Sequence, residues 1–250
     1  MVKFLIMKIR YNIHLLYYVV AFISFITGHF KGYIIYTLVI LVHELGHIFA
    51  GFVLKWPILK VTIYPFGCMT TFNNKLNSSS IEEFLILIYG PLFQILFNRI
   101  YPNNYHYFIL IFNLLPIYPL DGSKIFFLLL NRITSYYYSY VYIFIISYIT
   151  IIILLINRFN FINLIILSYI IYDVYKYIRL LPNIMYMFYY ERYKYRYKYK
   201  RNNIIMGNNK HKILKSRNNI FILKKACYNE YHILKEYFEG VNVDEIKNKL

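Results

Sequence analysis

His43, Glu44 and His47 stand together in the run His43-Glu44-Leu45-Gly46-His47. On an α-helix, residues four apart share a face. The two imidazoles can therefore offer nitrogen to one metal ion while Glu44, beside them, takes a proton from water. A hydrolytic zinc ion commonly takes three protein ligands and keeps one position open for water. A third ligand is needed, and Asp121 is the candidate. It ends the stretch Asn113-Leu-Leu-Pro116-Ile-Tyr-Pro119-Leu-Asp121, in which two prolines three apart deny the backbone regular helical hydrogen bonds. Two plainer readings stand beside this one: a polar helix–helix contact for the histidine pair, and a proline-kinked helix with a solvated Asp121.

The elements that must carry these residues are apolar. The chain is 59% hydrophobic and 16% charged, with mean hydropathy +0.44. A soluble domain carries about 25% charged residues, so the expected class is an all-α polytopic membrane protein. Apolar stretches at 12–30, 33–54, 81–98, 104–130, 136–157 and 160–178 predict about six transmembrane helices, with a short β-hairpin between helices 2 and 3. Glu44 then lies within a span, where a carboxylate costs about 2.5–3.5 kcal/mol and implies a use. Irregular backbone around Pro116 and Pro119 is tolerated at membrane depth only when it is buried in protein or lines a wet cavity.

Lys and Arg positions set the orientation. Lys3, Lys8 and Arg10 precede the first stretch, Lys55, Lys60 and Lys75 follow the second, and Lys124 and Arg132 follow the fourth. The opposite loops carry only Lys31, Arg99 and Arg158. The expectation is an integral, multi-pass protein with both termini cytoplasmic and a retained first span, since no small-residue cleavage site follows the N-terminal basic residues. The net charge of +17 then reports topology and a basic tail, and requires no nucleic-acid partner.

Three regions are expected: an intramembrane metal-binding domain over 1–181, a basic juxtamembrane linker over 182–217, and a small cytosolic appendage over 218–250. Twelve Lys and Arg residues and no carboxylate occur between Arg192 and Lys225. Cation alternates with aromatic from Arg192 to Arg201, a pattern suited to anionic lipid headgroups. From Ile220 to Leu250 the periodicity predicts a helix, with Tyr231, Leu234 and Phe238 on one face. His14, His29 and His106 have no ligand spacing, and packing is the expectation for them.

Between Ile58 and Phe72, Leu59, Val61 and Ile63 alternate with Lys60, Thr62 and Tyr64 until Pro65-Phe66-Gly67 interrupts them, which predicts the hairpin. An edge strand there could pair with an extended substrate. Pro65, Phe66 and Gly67, with Pro116 and Pro119, are the candidate substrate-binding residues. A plain connecting hairpin is the alternative. Asn113 is a candidate hydrogen-bond donor to substrate or to a developing oxyanion.

The pair of motifs, His43-Glu-Leu-Gly-His47 and Asn113-x-x-Pro-x-x-Pro-Leu-Asp121-Gly, resembles that of the site-2 proteases, which are intramembrane zinc metalloproteases. Gly28-His29-Phe-Lys31, Trp56, Tyr64-Pro65-Phe66-Gly67, Gly90-Pro91-Leu92 and Glu191-Arg192-Tyr193 are similar, in order, to the sporulation branch of that family. The resemblance implies a bound Zn2+, metal-ligand roles for His43, His47 and Asp121, and a base role for Glu44. It also implies a membrane-associated protein substrate, possible inhibitory membrane proteins, and in this branch an inactive sigma-factor precursor as substrate. Cys68 and Ser123 depart from it, standing where the family commonly has a second glycine. Two rivals stay open: a divalent-cation transporter using the same ligands, and a catalytically inactive scaffold. Glu44 separates them, because proteolysis needs it and cation binding does not.

Overall fold

A computed structural model describes residues 10–65, 67–73, 76–157, 161–223 and 226–240, with backbone only for 157 and 161–166. Close packing divides the chain into two units: residues 1–74 with 78–114, and 75–77 with 115–250.

The first unit contains β1 (Arg10–Ile13), α1 (Leu15–Ile26), α2 (Phe30–Val53), β2 (Ile58–Tyr64), β3 (Gly67–Phe72), α3 (Ser80–Ile100) and α4 (Asn104–Asn113). Helix α2 buries Val39, Ile40, His43, Glu44, His47 and Ala50, the three-and-four spacing of one helical face. Leu38, Leu41, Leu45, Phe49 and Phe52 lie exposed on the rest of its surface. A helix apolar all round suits hydrocarbon rather than water. Val39, Ile40 and Ile109 form a buried cluster against which Tyr36, Cys68 and Phe97 pack.

Strands β2 and β3 pair antiparallel, from Tyr64 opposite Gly67 to Ile58 opposite Phe72, with an irregularity between Ile58 and Lys60. The periodicity reading put Asn12 and Ile13 into the first span. They instead belong to β1, which pairs parallel with β2 from Arg10–Lys60 to Ile13–Ile63. The pleat explains this: Tyr11 and Ile13 alternate with Arg10 and Asn12, and β2 offers them an edge. His14 ends the strand by donating its backbone N–H to the Ile63 carbonyl at 2.9 Å. Its ring Nδ1 accepts from Leu16 N at 3.3 Å, so this histidine caps α1.

The second unit contains α5 (Asp121–Ile133), α6 (Tyr136–Asn157), α7 (Phe161–Tyr195), and β4 (Asn202–Met206), β5 (Asn218–Leu223), β6 (Ala226–Asn229) and α8 (Glu230–Glu239). The stretch expected as one span at 104–130 is two helices, α4 and α5, separated by the proline-bearing segment. Its backbone is satisfied locally. Tyr118 N donates to Ser147 Oγ at 2.9 Å, while Ser147 Oγ donates to the Ile143 carbonyl at 2.7 Å. Among the described residues, three helices are long and apolar enough to cross a membrane: Phe30–Val53, Ser80–Ile100 and Tyr136–Ile156. Helix α1 is apolar but has only 12 residues.

The expected helix from Ile220 is corrected by β5 and β6, which form a hairpin. Ile220-Phe221-Ile222 is a β-branched and aromatic run that favours a strand, and β4 pairs with its other edge in parallel. Only Glu230–Glu239 is helical; the end of the expected helix, 241–250, lies outside the described residues. Arg192, expected among the lipid-facing cations, is 4% exposed. Its guanidinium donates to both Glu230 carboxylate oxygens, to Asn77 Oδ1 at 3.1 Å, and to the carbonyls of Lys215 at 2.8 Å and Arg217 at 3.0 Å. The neighbouring Glu191 accepts from the backbone of Leu76 at 3.1 Å and Asn77 at 3.2 Å. Glu191-Arg192 thus ties the end of α7 to Leu76-Asn77, to the segment before β5 and to the start of α8.

Candidate active site

The α2 helix delivers His43 and His47 to α3, and their ring nitrogens divide into two sets. His43 Nδ1 lies 2.7 Å from Gln94 Oε1. His47 Nδ1 lies 2.7 Å from the Ile86 carbonyl oxygen. Carbonyl oxygens only accept, so both imidazoles carry their proton on Nδ1 in this arrangement and present a lone pair at Nε2. The two Nε2 atoms are 3.1 Å apart. Neither can donate to the other in that tautomer, an arrangement in which both nitrogens can accept a cation.

Helix α3 is built around this arrangement. Ile86 and Gln94 stand four residues on either side of Gly90, on one face. A Cβ at position 90 would come 2.2 Å from His47 Nε2 and 2.9 Å from His43 Nε2, so the missing side chain leaves the space in front of both nitrogens. Gly46 plays the matching part on α2, where a Cβ would sit 2.2 Å from the Tyr89 carbonyl oxygen. The two helices meet backbone to backbone. Gly90 thus lets α3 pack closely on α2 at the histidine pair.

His43 and His47 are buried on α2 in the first unit, and Asp121 is buried in the second. Asp121 opens α5, and the Ser123 hydroxyl bonds back to the Leu120 carbonyl at 2.7 Å to close that first turn. Lys124 reaches the Asp121 carboxylate at 3.4 Å, a contact the motif does not reveal. Two imidazole nitrogens with a carboxylate are a donor set that suits a zinc-type cation.

Glu44 is 5% exposed and adjoins the Cys68 thiol of β3. Burial, with the Glu44 carboxylate next, pushes that thiol's pKa up. Asn113, the last residue of α4, brings its amide nitrogen to 3.5 Å from His43 Nε2. Pro65 is buried at the end of β2; Gly67 opens β3, and a Cβ there would meet nothing within 4 Å. Phe66 lies outside the described residues. Pro116 and Pro119 are half-buried in the segment before Asp121. Gln94 was not anticipated. The signal that could have revealed it is a lone amide in the apolar run of α3, one helical turn past Gly90.

No protein-family model matches the chain. It is 32% identical over 146 residues to stage IV sporulation protein FB of Bacillus subtilis, covering 52% of this chain and 51% of that protein. The chain thus spans about half the length of the curated relative it matches. Its fold matches the site-2 protease from Methanocaldococcus jannaschii with a TM-score of 0.53 at 20% identity, over 68% of this chain and 91% of that one.

The chain is similar in sequence to a sporulation protein and in fold to a site-2 protease.

The likeness to the M. jannaschii protein concerns the fold, and the sporulation protein supplies the sequence relationship. With three described helices long and apolar enough to cross a membrane, they support an integral membrane protein. The His43-Glu44-His47 helix and its glycine crossing with α3 are carried entirely by the first unit.

Proposed function

We propose that this chain is a zinc-dependent intramembrane endopeptidase that cuts a membrane-associated protein. The observation that carries the reading is the pair of Nε2 atoms of His43 and His47 facing each other at 3.1 Å, with Asp121 of the broken-helix motif as the proposed third ligand.

His43, His47 and Asp121 would hold the ion. When bound, zinc brings the pKa of its water to about 7 and polarises a peptide carbonyl. Glu44 stands next to His43 on the same helix, suited to take the proton from the attacking water and pass it to the leaving amine nitrogen. Asn113 has an amide donor for the developing oxyanion. The scissile segment of a substrate must be extended before attack, because a helix hides its own carbonyls. The sheet β1-β2-β3 leaves β3 at one edge, where an extended chain can pair, with Pro65, Phe66 and Gly67 as the proposed substrate-contacting residues. Pro116 and Pro119 keep the segment ahead of Asp121 out of helix and so leave room for such a chain.

Both termini are placed in the cytoplasm by the distribution of Lys and Arg, with six crossings in all. The similarity to a sporulation protein favours an inactive sigma-factor precursor as the substrate. The test is co-expression of the wild type and Glu44→Gln with a candidate precursor. The wild type should process it and Glu44→Gln should not, while both retain one zinc per chain. Equal processing by the two removes Glu44 from the mechanism, and a purified wild type without zinc removes the metalloprotease reading.

A further inference from the structure

Both histidine ligands are anchored through Nδ1, but in different ways. His47 bonds to the main-chain carbonyl of Ile86, which every side chain at that position provides. His43 bonds to a side chain, Gln94, which is 1% exposed. An amide can face either way, and here its direction is set. Gln94 Nε2 donates to the His106 carbonyl at 2.7 Å, so Oε1 must face His43. Helix α4 is held for this in turn, since the His106 ring Nε2 donates to the Tyr101 carbonyl at 3.2 Å. A chain of oriented groups thus runs from Tyr101 through His106 and Gln94 to His43, entirely within the first unit.

We propose that Gln94 is a positioning residue for the metal site: its carbonyl oxygen holds His43 in the Nδ1–H tautomer, and the His106 carbonyl holds Gln94 in the orientation that makes this possible. The inference rests on the zinc reading above and adds a residue outside the metal motifs. In water an imidazole interconverts its tautomers and turns its ring freely. A ligand held through its second nitrogen is already oriented for the cation, and loss of such a partner typically costs about 10–100-fold in metal affinity. Gln94 also borders a cavity of about 420 Å³ lined by Asn98, Arg99 and His106, so a side chain of similar size replaces it without overpacking the helix pair.

The test compares zinc affinity of the full-length protein in detergent, by competition with a chromogenic chelator, for the wild type, Gln94→Leu and Gln94→Glu. Thermal melting is followed in parallel on the metal-free forms. Gln94→Leu removes the acceptor and should weaken zinc binding by about 10–100-fold without a matching fall in melting temperature. Gln94→Glu keeps an acceptor for His43 Nδ1–H but gives up the donor to the His106 carbonyl, so it should lose clearly less zinc affinity than Gln94→Leu, since carboxylate partners serve this role elsewhere. Wild-type affinity in Gln94→Leu overturns the proposal. So does an equal loss in both variants, which would make residue 94 a packing position. A wild type that binds no zinc overturns the metal reading itself, and the proposal with it.

Discussion

Gly90 faces Nε2 of His47 so closely that a single added carbon at residue 90 would stand 2.2 Å from it. A methyl group there has nowhere to go, because the His47 ring is pinned at its other nitrogen by the Ile86 carbonyl. Gly90→Ala is therefore expected to displace the ring and abolish stoichiometric zinc binding together with cleavage. Metal analysis of the purified variant checks this. Retention of one zinc per chain would show that the two helices can separate to admit the methyl.

Removing the metal should leave the scaffold standing. His43 and His47 are anchored through Nδ1 by Gln94 and Ile86, and no part of that anchoring needs a cation. Dialysis against a strong chelator is expected to abolish cleavage while the far-ultraviolet circular dichroism stays unchanged. Addition of one equivalent of zinc should restore activity. Collapse of helical content on chelation would instead identify the ion as a structural one.

The Arg192–Glu230 pair predicts a local failure. Arg192 is buried with six acceptor atoms around it, so Arg192→Met takes the cation from the Glu230 carboxylate, which keeps Asn219 Nδ2, and the donor from several carbonyls. Breaking a buried pair from one side costs about 3–5 kcal/mol. Limited proteolysis should then cut the β4–α8 segment well before the wild type is cut. Zinc binding should be unchanged, because no metal-site residue depends on Arg192. Wild-type resistance to protease would show the network to be dispensable.

Cys68 and Cys227 should separate kinetically. Burial and the nearby Glu44 carboxylate raise the Cys68 pKa, which leaves less thiolate at a given pH and slows alkylation. Cys227 is exposed on β6. At pH 8, iodoacetamide is expected to label Cys227 at least about tenfold faster than Cys68, read by peptide mass spectrometry. Equal rates would mean that β3 opens readily from α2.

The chemistry of the chain was legible wherever it is local. Four-residue spacing puts His43 and His47 on one face of whatever helix carries them, and Pro116 and Pro119 break a helix regardless of what surrounds it. Both are properties of a few consecutive residues, governed by the 3.6-residue repeat and by a missing N–H. The strands were harder. Ile220-Phe221-Ile222 has no helical partner face, yet four apolar residues in a row fit either element, and the pairing with β4 that decides between them spans some sixteen positions in sequence.

The sequence by itself determined that two imidazoles and a carboxylate base ride one apolar helix and that a broken helix carries a second carboxylate. Only the tertiary structure decided how the imidazoles are held. That Gln94 and the Ile86 carbonyl face His43 and His47, and that Gly90 must lack a side chain, follows from the antiparallel approach of α2 to α3. No spacing within either helix encodes that approach, because it is set by which faces the two helices bury against each other.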